Sequence, residues 1–146
     1  MGQFLGEFDV PVDEKGRIFV PAELRKKLPP EANDTFIVLR GYDRCLTAYP
    51  QQIWAETARK MLRLPQTESK ARMVIRGRLS QAAEVKFDRQ GRALIPRKLL
   101  ERVGIGNQMV VIGALDKLEF WNPEDWGKAM AKADEEMEKA AEDFDL

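Results

Sequence analysis

Apolar residues recur at Phe4, Phe8, Val10 and Val12, a period-2 pattern that predicts a half-buried strand over residues 4–12. Asp13-Glu14-Lys15-Gly16 then reads as a turn, because an Asp accepts from nearby backbone amides and Gly16 permits positive φ. Residues 17–20 form a second short strand. Pro21 suits the first turn of a helix in which Leu24 and Leu28 share a face, while Arg25, Lys26 and Lys27 point elsewhere. Pro29-Pro30 stops it. A β-rich run covers 35–39, and Asp43-Arg44 turns into a strand at 45–49. Pro50 opens a helix carrying Ile53, Trp54, Ala58, Met61 and Leu62, closed by Pro65. A further helix is predicted over 67–75, ended by Gly77.

From Leu79 the pattern starts again: a strand at 79–87, a turn at 88–91, a strand at 92–95, and a helix from Pro96. Strands at 109–112 and 117–121 follow. Asn122-Pro123-Glu124-Asp125 is a helix start, with Asn as cap and acids on the positive dipole end. The last helix spaces Trp126, Met130, Ala133, Met137, Ala140 and Phe144 by threes and fours. That stripe fits packing on its own domain or a coiled-coil-like partner contact. Residues 142–146 are expected to fray. A shift of 75 superposes Asp13 on Asp88, Gly16 on Gly91, Arg17 on Arg92, Pro21 on Pro96 and Leu24 on Leu99. A long period seen twice is a duplicated supersecondary unit. The shared residues hold a turn and an Arg but no nucleophile–base pair, which points to a binding surface used twice.

With 146 residues and 44% hydrophobic content, the chain can build one sizeable core, whereas each half alone would be marginal. The halves are therefore expected to share a core or to need partner subunits. The first seven residues lack the basic-then-apolar pattern of a signal peptide, and no run reaches the roughly 20 apolar residues of a membrane span. One cysteine, Cys45, forms no internal disulfide and fits a reducing cytoplasm. Net charge is zero but uneven: residues 126–146 hold three Lys against seven acids, leaving the remainder at +4. Local fields, rather than totals, attract phosphates.

Catalytic chemistry finds little support. Histidine is absent, removing the commonest general base and metal ligand. One cysteine cannot build a thiolate cluster, and no phosphate-binding Gly-rich loop is present. Gly104-Ile105-Gly106 reads as a turn, and paired acids such as Asp13/Glu14 lack an apolar pocket. The chain is thus expected not to be an enzyme and to need no cofactor, metal or small-molecule substrate. The repeated Asp-x-x-x-Arg element is the sharper signal. It could be a plain ion pair at a turn, yet such an exposed pair stabilises little. A β-ribbon presenting guanidinium groups can instead enter a major groove, where Arg grips guanine edges or phosphates.

Asp13-x-Lys15-Gly16-Arg17-Ile18-x-Val20-Pro21 and Asp88-x-x-Gly91-Arg92-x-x-Ile95-Pro96 resemble the swapped-hairpin DNA-binding fold of AbrB-type regulators. Two such modules in one chain are similar to the MraZ family, a resemblance covering roughly residues 1–126. It implies an α+β fold in which two pseudo-symmetric swapped-hairpin AbrB-like β modules form a shared barrel-like core flanked by helices. The modules would be residues 1–76, with trailing helices, and 77–146, with the C-terminal helix. The resemblance further implies a cytoplasmic, nucleoid-associated repressor of the division and cell-wall gene cluster, including its own promoter. Its partners would be double-stranded DNA, read as direct repeats, and further copies of itself in a ring. The motif places DNA contacts at Lys15, Arg17, Arg89 and Arg92 and turn shaping at Asp13, Gly16, Asp88 and Gly91. Gln90 stands where Lys15 stands in the first copy, so the copies are expected to contribute unequally. Arg25, Lys26, Lys27, Arg97 and Lys98 either reach phosphates or form a solvated helix face. The alternative is a protein-interaction module of antitoxin type.

Overall fold

The computed structural model describes residues 2–146. In chain order these form β1 (Glu7–Pro11), β2 (Arg17–Phe19), α1 (Ala22–Arg25), a single 3-10 turn (Pro30–Ala32), β3 (Thr35–Arg40) and β4 (Leu46–Pro50). Then come α2 (Gln51–Leu62), α3 (Ser69–Leu79), β5 (Ala83–Lys86), β6 (Arg92–Leu94), α4 (Arg97–Arg102), β7 (Gln108–Gly113), β8 (Leu118–Trp121) and α5 (Pro123–Glu142). Six strands make one antiparallel sheet in the order β1-β7-β8-β4-β3-β5, and β2 pairs with β6 as a separate ribbon. Exchanging the halves maps this order onto itself reversed. The first strand of each half, β1 or β5, therefore pairs with a strand of the other half, β7 or β3.

Three layers result, and the alternation of side chains along each strand sets which residues face which layer. The ribbon buries Ile18 and Ala93, with Val20 and Ile95 just beyond its strands, against Val10, Phe36, Val38, Leu46, Met109 and Phe120 of the sheet. Leu24 of α1 and Leu99 and Leu100 of α4 close this core. On the opposite face, Ile53 and Trp54 of α2 and Leu79 of α3 cover Ile37, Leu39 and Tyr49. Trp126 and Ala129 of α5 cover Val110, Cys45 and Trp121 in the equivalent place. Interior strands β3 and β4 are buried on both faces, which explains why Phe36-Ile37-Val38-Leu39 runs without alternation and why even Thr47 of β4 is buried.

Several expected boundaries move, each for a local reason. The strand expected from Phe4 is interrupted at Gly6, whose φ is +98°; Phe4 instead makes an isolated bridge to Leu115. Gly77 does not end the second helix, because α3 runs on to Leu79 and the Gly77 carbonyl accepts from Arg40 Nη1 at 3.3 Å. The strand expected from Leu79 accordingly begins only at Ala83. The main sheet is open, with β1 and β5 as its edges, rather than closed into a barrel. At about 1.5 Å per residue α5 extends roughly 30 Å, and its packed part ends near Ala129; Met137 and Phe144 beyond it are exposed.

Because β3 needs β5 and β1 needs β7, neither half can complete its sheet alone. Residues 1–76 in isolation are expected to show no cooperative thermal transition by circular dichroism while monomeric. A monomeric fragment melting as sharply as the whole chain would contradict the strand exchange.

Candidate nucleic-acid interface

The two repeated turns have the same construction. Asp13 Oδ1 accepts from the amides of Lys15 (2.9 Å) and Arg17 (2.8 Å), and Oδ2 accepts from Arg17 Nε at 2.7 Å. In the second copy, Asp88 Oδ1 accepts from the amides of Gln90 (2.9 Å) and Arg92 (3.0 Å), and Oδ2 from Arg92 Nε at 2.8 Å. Each Asp carbonyl also receives the amide of the turn glycine, at 3.0 Å for Gly16 and 2.9 Å for Gly91. The short side chain of Asp suits this role because it reaches backbone donors two and four residues on. The amide of Arg17, and then its guanidinium, hold the Asp13 carboxyl below the ordinary carboxylate range. Arg92 does the same for Asp88, in the same order of causes.

Pairing across the ribbon joins the turns to each other. The Ile95 amide donates to Gly16 O at 2.9 Å, and the Val20 amide donates to Gly91 O at 2.8 Å. Gly16 and Gly91 have φ of +89° and +86°, and a β-carbon at Gly16 would lie 2.6 Å from the Ile95 carbonyl oxygen. Glycine is therefore demanded at Gly16 both by backbone conformation and by the neighbouring strand. Side chains cross as well. Arg25 Nε donates to Val20 O at 3.0 Å while its guanidinium lies over Gly91, and Arg97 Nη2 donates to Glu14 O. These two arginines, read from the sequence as phosphate-reaching or solvated, brace the turns.

The antiparallel register sets Arg17 opposite Leu94 and Phe19 opposite Arg92. Strand alternation turns Ile18 and Ala93 inward and leaves Arg17, Phe19, Arg92 and Leu94 exposed on one outer face. That face, with Asp13 and Asp88 at its ends, lines an open groove of about 940 Å³. Lys15 and Arg89 are exposed on the turns, Lys26 and Lys98 are exposed on the adjoining helical segments, and Lys27 is half-buried. The exposure of Phe19 and Leu94 was hidden in the sequence. Both lie in continuous apolar runs, Ile18-Phe19-Val20 and Ala93-Leu94-Ile95, where only the strand register tells inside from outside.

Elsewhere the chemistry is quiet. Burial, then Glu119 and Asp43, push the Cys45 thiol up to about 12, and its S–H donates to the Tyr42 carbonyl at 3.0 Å. Such a thiol is inert at neutral pH. Among the described residues no cluster of three or more Cys, Asp and Glu is placed to hold a metal ion.

The family model described as "MraZ protein, putative antitoxin-like" matches residues 3–77 and again 79–146. The chain is 41% identical over 141 residues to the transcriptional regulator MraZ of Desulforamulus reducens, covering 97% of this chain and 96% of that protein. It is 39% identical to the protein of the same name from Heliobacterium modesticaldum, covering 98% and 99%. Against that of Halothermothrix orenii the figures are 38% identity, with 94% of each chain covered. Two family matches in tandem and near-complete overlap with these relatives place this chain in the MraZ family.

Proposed function

We propose that the protein is a DNA-binding transcriptional regulator and that the outer face of the β2–β6 ribbon reads the duplex. The observation that carries this is the pair of identically clamped arginines, Arg17 and Arg92, which one strand pairing brings to one face. An exposed ion pair adds little to stability. Its use is orientation: the carboxylate takes the Nε–H, and the Nη end of each guanidinium is left to meet a guanine edge or a phosphate. A two-stranded ribbon fits the major groove, which is about 12 Å wide. Lys15 and Arg89 support phosphates, while Asp13, Gly16, Asp88 and Gly91 shape and aim the turns.

The MraZ resemblance extends the proposal. Each repeat, residues 1–76 and 77–146, is one module of an internal pseudo-dimer. The regulator represses the division and cell-wall gene cluster, including its own promoter, in the cytoplasm and on the nucleoid. Copies assembled as a ring on direct repeats gain avidity through effective concentration, which offsets a net charge of zero. No catalysis, cofactor or metal enters this reading. No helix of the described residues is long and apolar enough to cross a membrane. A second reading, a protein-interaction module of antitoxin type, draws on the family description and on the uncovered Met130, Met137 and Phe144 beyond the packed part of α5.

Arg17→Ala together with Arg92→Ala is expected to abolish specific DNA binding, each guanidinium being worth about 1–3 kcal/mol. Melting temperature and oligomer size should stay unchanged, and unchanged affinity by fluorescence anisotropy would contradict the assigned role. The clamps also carry a pH signature. Their carboxyl pKa values are lowered on folding, so their contribution is complete above the unfolded Asp value of about 3.9 and is lost as pH falls through the lower folded values. A carboxyl carbon NMR titration should give midpoints for Asp13 and Asp88 below the ordinary Asp value. Arg17→Ala should leave part of the Asp13 shift, because the backbone amide is its first cause. Ordinary midpoints in the intact protein would contradict the clamp.

A further inference from the structure

Phe19 and Leu94, the last residues of the two paired strands, are 61% and 56% exposed, large for apolar residues within a β ladder. Singly exposed apolar residues are common on protein surfaces, so exposure alone carries no message. Placement does. Phe19 sits directly across the ribbon from Arg92, and Leu94 directly across from Arg17. Along each strand the apolar residue also lies two positions beyond the clamped arginine. The outer face is thus a chequer of two guanidinium groups and two apolar side chains, repeated by the pseudo-two-fold.

Two residues along a strand span about 6.8 Å, close to two base-pair steps of about 3.4 Å. A ligand matching the chequer must offer anionic or acceptor groups and small apolar groups, alternating at that spacing. A duplex major groove does so: guanine and phosphate provide acceptors, and thymine is the base that presents a methyl group there. A purely apolar protein surface would leave Arg17 and Arg92 facing no acceptor, which is costly once water is excluded.

We propose that Phe19 and Leu94 are specificity-determining residues that contact thymine C5-methyl groups, Phe19 two base-pair steps from the base or phosphate gripped by Arg17 and Leu94 two steps from that gripped by Arg92. This rests on the DNA-reading function proposed above. The inward neighbours Ile18 and Ala93 hold the ribbon to the core, so truncating the outward pair leaves the fold in place.

The test starts from duplexes enriched by the full-length protein out of a randomised library. Each thymine is then replaced singly by uracil, which keeps the O4 acceptor and lacks only the methyl group. Uracil at a contacted position should weaken binding of the unaltered protein roughly 3–10-fold, the scale of losing one buried methyl contact. The double variant Phe19→Ala, Leu94→Ala should bind the thymine and uracil duplexes equally, with an unchanged slope of affinity against salt. Equal affinities for the two duplexes in the unaltered protein would overturn the inference, as would a double variant that still discriminates. So would loss of oligomer size in the double variant, which would assign the pair to a contact between copies. Failure to enrich any duplex at low salt would overturn the DNA-reading function itself, and this inference with it.

Discussion

Three residues from each half, Arg17–Phe19 and Arg92–Leu94, pair antiparallel at the centre of the pseudo-two-fold. That short ladder constrains the surrounding surface. Each strand follows an Asp-x-x-x-Arg turn, so pairing the strands places the turns at opposite ends of one face. The same crossing delivers β1 to β7 and β5 to β3, because each first hairpin has already passed to the other half. One core therefore serves both repeats, with Ile18, Val20, Ala93 and Ile95 contributed by the crossing segments. A duplication that kept its halves separate would have offered two small cores and no common outer face.

Much of this is legible in the sequence because a repeat compares the chain with itself. Asp13/Asp88, Gly16/Gly91 and Arg17/Arg92 stand out at a spacing of 75, and the structure gives them matching geometry. Strands of alternating or β-branched residues and the Asn122-capped α5 are equally readable; Asn122 Oδ1 accepts from the Glu124 amide at 2.8 Å. What escaped depends on partners distant in sequence. Gly77 looks like a helix stop, but tertiary packing carries α3 past it, with Arg78 Nε donating to Arg40 O at 2.9 Å. No local pattern could show that Arg25 crosses to the Gly91 turn, or that Arg97 reaches Glu14. The outward turn of Phe19 and Leu94 was likewise invisible until the register was known.

The two surfaces of the sheet divide their labour. The ribbon side spends its polar groups on geometry: carboxylates bind amides and guanidinium Nε atoms, and glycines admit the neighbouring strand. These contacts are too exposed to stabilise the fold much, so their effect lies in holding the arginine ends at defined positions before any ligand arrives. Preorganisation of that kind improves affinity by lowering the ordering cost on binding. The helical side is more conventionally hydrophobic, with Tyr49 against Trp54 at 5.9 Å and Trp121 against Trp126 at 5.4 Å between ring centroids. Stability resides there and in the shared core, to which the ribbon gives its inward residues Ile18 and Ala93, while its outward side chains are left for the proposed contact with DNA.

The most direct measurement of the central claim is the response of the arginine Nε–Hε NMR signals to added duplex. Both Arg17 and Arg92 should move together and saturate at the same DNA concentration, since one rigid ribbon presents both. Arg40 and Arg78, on the opposite helical side, should stay still. If DNA binds while the Arg17 and Arg92 signals remain in place, or if signals of the helical side move instead, the ribbon is not the reading face.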